Sequence, residues 1–239
     1  MQPWAPEQRT PFWTWRDILY VFVFSVPLFI GAAFLSAVIL GALPGDKPKA
    51  LSLLVPQFMG FALALIPVTF IFRIHYDRPL WRSVNFAIPG GEWVRSLFSG
   101  FGLAAFVLVL GALLHPPRIE SPMQDLMDDP ASRPYLAIAA VTLAPFFEEF
   151  FFRGLLQPLI ARDVGAKPAV LLAALPFALL HGPEYGWSWR HVLLILVAGA
   201  GFGWKRLKTD STGAATVMHA GYNAVVTTGY LLGRKLIDV

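Results

Sequence analysis

The sequence predicts an all-α fold, a polytopic bundle of transmembrane helices with about seven hydrophobic segments. Three observations carry that prediction. Of 239 residues, 56% are hydrophobic and 14% charged, and the mean hydropathy is +0.59. Seven apolar segments, 18–43, 51–72, 96–114, 135–160, 168–181, 191–204 and 212–233, contain among them only three Lys, Arg, Asp or Glu residues: Glu148, Glu149 and Arg153. All eight tryptophans lie at or beyond segment ends, as an interfacial aromatic belt requires. The net charge of +4 does not point to nucleic acid, because the basic residues cluster where the apolar segments end. Cysteine is absent, which excludes thiol catalysis, disulfides and a lipidated cysteine anchor.

Taken in order, residues 1–17 form a polar and aromatic N-terminal segment. The first apolar run, 18–43, is too long for a cleaved signal peptide and is expected to remain as a span. With 51–72 it makes two N-terminal helices, completed by an interfacial loop to residue 94. The third span is 96–114. Loop 115–134 is rich in proline and acidic at Asp125, Asp128 and Asp129, and reads as a solvated connector. The fourth span is 135–160. Segments 168–181 and 191–204 have 14 residues each, about 21 Å as helix, against a hydrocarbon core of roughly 30 Å. They read as half-spans or as a hairpin dipping in around His181-Gly182-Pro183-Glu184-Tyr185-Gly186. Gly199 and Gly203 sit four apart, a spacing that suits close helix packing. The seventh span is 212–233.

Seven crossings place eleven Lys or Arg on the side of the N-terminus, in the stretches around residues 9–16, 73–95, 162–167 and 205–208, and seven on the other. By the positive-inside rule the N-terminus is cytoplasmic and the C-terminus external.

The fourth span is where the chemistry concentrates. A charge near the middle of a spanning helix costs roughly 2.5–3.5 kcal/mol on insertion scales, so each of the three needs a partner or a task. Glu149 and Arg153 are four residues apart and share a face, so they can pair. Glu148 points about 100° away, and no partner on its own helix is left for it. Pro145 cannot donate to the Val141 carbonyl, which leaves a backbone acceptor near the acid.

Two further segments offer polar groups. His181 follows Phe177 by four residues, and Asn223 follows His219 by four, each pair on one helical face. His75, His115 and His191 lie in loops or at segment ends and read as interfacial side chains. Together Glu148, His181, His219 and Asn223 hold what amide hydrolysis needs. A carboxylate and an imidazole can hold and deprotonate water. Imidazole and carboxamide N–H groups can stabilise the oxyanion of a tetrahedral intermediate. A zinc ion on His181, His219 and Glu148, with water fourth, is the competing arrangement. The HExxH spacing is missing, so the metal-free version, with no cofactor, is preferred.

Glu148-Glu149-x-x-x-Arg153, Phe177-x-x-x-His181 and His219-x-x-x-Asn223, in that order and on the fourth, fifth and seventh segments, resemble the CPBP family. That family groups type II CAAX-prenyl proteases with bacteriocin-processing and Abi-type intramembrane proteases. The resemblance covers roughly residues 95–233 and marks 95–239 as the catalytic core. It implies an α-helical membrane fold around a water-filled cavity open to one side. It also implies that Glu148 and His181 activate the water while His219 and Asn223 stabilise the oxyanion. The expected protein is an intramembrane endopeptidase of a prokaryotic cell membrane, acting on a membrane-anchored peptide or protein, such as a CAAX-prenylated chain or a leader peptide. The alternative is a non-catalytic immunity or partner-binding protein of the same fold. One expectation conflicts with the others. Counted from the cytoplasmic ends of their segments, His219 lies about 10 Å deep, Glu148 about 18 Å and His181 about 20 Å.

Overall fold

A computed structural model describes residues 11–117, 119 and 122–237. Residues 1–10 of the N-terminal segment, with Arg9, and Arg118 of the charge tally lie outside the described residues. Those described form helices and connectors, with no strand among them. Helix α1 spans Trp15–Ala42 and α2 spans Lys49–Phe70, continuing as a π turn over Ile71–His75. A short α3, Leu80–Ser83, precedes α4, Glu92–Leu114. Connector 115–134 is not wholly irregular, since it contains α5, Pro122–Asp128. The fourth segment is a composite of α6 (Arg133–Val141), α7 (Leu143–Glu149), a π turn (Phe150–Leu156) and α8 (Gln157–Val164). Then come α9 (Ala166–Leu180), a 3₁₀ turn (Gly182–Tyr185), α10 (Trp189–Thr209) and α11 (Thr212–Ile237).

Helices 15–42, 49–75, 92–114 and 133–164 are long and apolar enough to cross a membrane. Together with the shorter helices they make an integral membrane protein of the polytopic helical kind. Large apolar side chains line the outer faces, such as Ile30, Phe34, Phe70, Phe98 and Leu113. Lipid has no reason to drive those inward.

Hydrogen bonds between connectors show which helix ends lie together. At the end where α1 begins, here the proximal end, the Tyr76 hydroxyl donates to Asp17 (2.8 Å) and Arg162 to the Trp13 carbonyl (2.9 Å). Lys205 reaches Glu92 (2.9 Å), and the Thr212 amide donates to the Asn85 carbonyl (2.8 Å). At the distal end the Ala50 amide donates to Ser132 Oγ (2.9 Å), and Arg190 to the His115 carbonyl (2.9 Å). Ser132 also donates to Asp129, holding that carboxyl below its usual range. Among the described residues the chain therefore passes seven times from end to end.

Segment six is longer than the expected half-span, while segment five stays short at 15 residues, Ala166–Leu180. Helix α10 has 21 residues, about 31 Å, because it extends through Lys205–Thr209 at the proximal end, where Lys205 reaches Glu92 and Arg206 is buried. Arg190, bonded to the last carbonyl beyond α4, sets the α9–α10 tip level with the distal end of α4. The pair is an antiparallel hairpin, one of the two expected arrangements. It is joined to α8 at Gly165, whose φ of +89° and ψ of 159° suit only glycine.

Candidate active site

The sequence breaks the fourth segment at two prolines, and each break opens backbone carbonyls. Pro145 lacks an N–H, and its ring crowds the carbonyl four residues back. The helix responds at Thr142 (φ −120°, ψ −69°), between α6 and α7. The carbonyl that takes a side-chain donor is that of Ala140 and not the expected Val141, and the donor is Asn223 Nδ2 at 2.7 Å. Pro158 similarly has no proton to offer. In the i to i+5 register of the π turn its acceptor is the Arg153 carbonyl, and Arg206 Nε takes that place at 3.3 Å.

The π turn presents Arg153 to the interior. Arg153 and Glu149 are both fully buried and pair at 3.0 Å. The second guanidinium nitrogen, Nη2, donates to the Gly199 carbonyl at 2.6 Å. One turn on, Gln157 Nε2 donates to the Gly203 carbonyl at 3.0 Å. Gly199 and Gly203 thus do more than allow close packing, since their carbonyls accept the buried donors of the fourth segment. A Cβ at Gly199 would lie 2.9 Å from Phe177 and 3.3 Å from Arg153 Nη2. Arg153 also stacks its charge over Phe177 at 4.7 Å and Phe202 at 5.5 Å.

His219 is buried and lies between the two acids. Its Nδ1 donates to Glu149 Oε1 at 2.9 Å, and its Nε2 lies 3.8 Å from Glu148 Oε2. The first contact is a hydrogen bond and the second is beyond one. Phe202 stacks on the imidazole at 4.2 Å, with planes 17° apart. A chain Arg153–Glu149–His219 results, fixing ring orientation as a carboxylate does behind a metal-bound or catalytic histidine. Glu148 stays outside that chain, with 24% of its side chain exposed.

Phe177 ties the third contributor to this group. Its ring lies 4.7 Å from that of His181 and 5.9 Å from that of His219. His181 Nδ1 lies 2.8 Å from the Phe177 carbonyl, so it donates there and leaves Nε2 as an acceptor. The described contacts do not bond His181 to Glu148 directly. Asn223 keeps one amide proton on Ala140, and its second is free to donate elsewhere.

The conflict over depth disappears because the seventh helix starts inside the bundle. Gly154 packs directly on Val84 and Thr212, with a Cβ placed there 3.2 Å and 3.6 Å from their side chains. Thr212 is bonded through its amide and hydroxyl to the carbonyls of Asn85 and Val84. Helix α11 thus begins level with residue 154 and not with residue 160. Seven residues along it, about 10 Å, His219 meets residue 148, six residues back from Gly154 on the neighbouring helix. Glu148 and His181 are likewise nearly equidistant from the Gly165 turn that joins their helices. The tucked loop 76–91, anchored by fully buried Val84, is what the apolar count could not register.

Among the described residues, no three His, Cys, Asp or Glu side chains converge in a way that would hold a metal ion. His219 has already committed Nδ1 to Glu149, and His181 has committed Nδ1 to a backbone carbonyl. Both bonds leave Nε2 as the free ring nitrogen, as second-shell partners do for a metal-bound histidine, so they do not themselves exclude the zinc set His181, His219 and Glu148. A cavity of about 340 Å³ lies between α1 and α2, lined by Ser36, Leu40 and Pro56 among others, and contains none of the candidate site residues.

Sequence reasoning missed Phe202, Gln157, Arg206 and the two glycine carbonyls. A signal was present for the last group: Gly199 and Gly203 repeat the four-residue spacing of Arg153 and Gln157 on the facing helix.

Residues 130–225 match the family described as Type II CAAX prenyl endopeptidase Rce1-like. That stretch contains Glu148, Glu149, Arg153, His181, His219 and Asn223. No curated protein and no solved structure matches the chain.

Proposed function

We propose, from the match of residues 130–225 to the Rce1-like type II CAAX prenyl endopeptidase family, an intramembrane endopeptidase that uses water activated at Glu148. The substrate is a peptide or protein anchored in the same membrane. The observation that carries this reading is the asymmetry of the two acids. Arg153 and His219 neutralise and orient Glu149, while Glu148 next to it is bonded to neither and is partly open.

In the proposed reaction a water accepted between Glu148 and His181 Nε2 loses a proton to Glu148 as its oxygen attacks the scissile carbonyl carbon. The carbonyl oxygen gains the negative charge. Asn223 offers its second N–H to that oxygen. His219 can donate only from Nε2, since Nδ1–H is held by Glu149, so it serves the oxyanion when both ring nitrogens carry protons. This refines the role expected from the family resemblance. Glu148 then passes its proton to the leaving nitrogen, the C–N bond breaks, and a new carboxylate and amine leave. Closing the 3.8 Å gap to His219 by about 1 Å would complete a hydrogen bond, and such contacts are commonly long before substrate binds.

The proximal end, with its excess of Lys and Arg, faces the cytoplasm in this reading. The test is a comparison of protein termini in membranes from cells carrying the natural chain and Glu148→Ala. New termini that vanish with the substitution identify substrate and bond together. Identical termini in both remove the proposed base.

A further inference from the structure

Outside the family-matched stretch, residues 11–17 lie against the turn that carries Arg153. Trp13 is only 3% exposed. Its indole N–H donates to the Leu155 carbonyl at 3.1 Å, a buried bond across 142 positions. Its own carbonyl accepts Arg162 Nη1 at 2.9 Å, and Trp15 Nε1 donates to Asp163 at 2.8 Å. Two turns into α1, Phe22 meets Phe151 edge-on at 5.4 Å. The N-terminal strap therefore grips the fourth segment on both sides of α8, at the last residues of the π turn and near the helix end. The strap itself is held: Phe12 and Trp13 pack on Phe72 at 5.1 Å, and Asp17 takes the hydroxyls of Thr14 and Tyr76 at 2.8 Å.

The register of that π turn decides where the buried charges point. A π turn holds one residue more than the α turn it replaces. Its reversion would rotate everything on one side by about 100° relative to the other. Glu149 lies just before the turn, Arg153 lies within it, and Gln157 follows it. Only in the present register do Arg153 and Gln157 meet the Gly199 and Gly203 carbonyls while Glu149 meets His219. Arg206 secures the turn from α10 through the Arg153 carbonyl. Trp13 secures it from the opposite end of the chain.

We infer that Trp13 is a positioning residue, whose indole N–H on Leu155 holds the π turn in register and with it the Arg153–Glu149–His219 chain. Its effect on the register stands on geometry alone, and its effect on turnover rests on the hydrolase reading above. Trp13→Phe keeps a buried ring and deletes the N–H. The isostere β-(3-benzothienyl)alanine at position 13 does the same with the full indole shape, in case phenylalanine packs too loosely to fold. Trp15→Phe, which removes a bond at the exposed Asp163, is the control.

Two readouts on the full chain in detergent micelles decide the matter. Hydrogen exchange followed by mass spectrometry should show amides of 150–157 exchanging about fivefold faster in both position-13 variants, the worth of one ordinary hydrogen bond. Amides of α9 should be unchanged, and Trp15→Phe should match the natural chain throughout. Cleavage of a farnesylated fluorogenic peptide should show kcat lowered about fivefold with KM unchanged. Unaltered exchange at 150–157, or an equal acceleration in α9, overturns the register claim. Faster exchange with natural kcat overturns the positioning role. If the natural chain does not cleave this peptide, the exchange arm still decides the register claim and the farnesylated peptide alone falls as a substrate.

Discussion

Replacing Arg153 by methionine removes the guanidinium and leaves the Glu149 carboxylate fully buried beside His219. Deleting one member of a buried ion pair typically costs about 3–5 kcal/mol, because the remaining charge is stranded in low dielectric. The Gly199 carbonyl loses its 2.6 Å side-chain donor as well, adding about 0.5–1.5 kcal/mol for one hydrogen bond, since the helix still supplies its backbone partner. Against a typical total stability of about 5–15 kcal/mol, Arg153→Met should leave the protein close to unfolding. The double variant Glu149→Leu/Arg153→Met removes both charges. It should recover about 2 kcal/mol or more, since apolar replacement of a whole buried pair is often tolerated. The assay is chemical unfolding in detergent micelles followed by circular dichroism, with peptide cleavage measured on the same samples. Even where the double variant folds, cleavage should be lost, because His219 no longer has an acceptor for Nδ1. A single variant less than about 1 kcal/mol below the natural chain, or a double variant no more stable than the single, would refute the ion-pair reasoning.

Gly199→Ala should destabilise by about 1–3 kcal/mol, since its Cβ would press on Phe177 at 2.9 Å and Arg153 Nη2 at 3.3 Å. Thermal unfolding checks this, and the same value for Gly102→Ala, where a Cβ meets nothing within 4 Å, would contradict it. Asn223→Ala should cost about 1–3 kcal/mol through the orphaned Ala140 carbonyl and lower kcat about 10²-fold as an oxyanion donor is lost. A stability loss with natural kcat would confine Asn223 to a structural role. Cleavage should persist after dialysis against a chelator, and activity abolished by chelation and restored by zinc would reverse the metal-free reading.

How much of this was legible in the sequence varies by feature. The helical architecture was, because seven apolar stretches with charges and tryptophans at their ends have few other meanings. Glu149 with Arg153 was, since four-residue spacing is a local property of a helix. His219 next to Glu148 was legible only as a motif, because depth counted from segment ends assumed that every helix starts at the membrane surface. Helix α11 starts deeper, on a loop held by Val84 and Asn85, and hydropathy carries no trace of that. The sixth segment misled for a related reason. Lys205, Arg206 and Lys208 ended the apolar count although the helix runs on to Thr209, and Arg206 is itself buried on the Arg153 carbonyl. The π turn was hidden because its cause is divided between Pro158, Arg206 and a tryptophan more than 140 residues away.

The most direct test of the central claim is Glu148→Gln, measured as single-turnover cleavage of a farnesylated fluorogenic peptide by purified protein. The substitution keeps the shape of a side chain that bonds to neither Arg153 nor His219, so unfolding should match the natural chain within about 0.5 kcal/mol. The account predicts a rate at least about 10²-fold lower, with one solvent oxygen in the new carboxylate of the natural chain's product. Natural cleavage rates in a folded Glu148→Gln protein would contradict it.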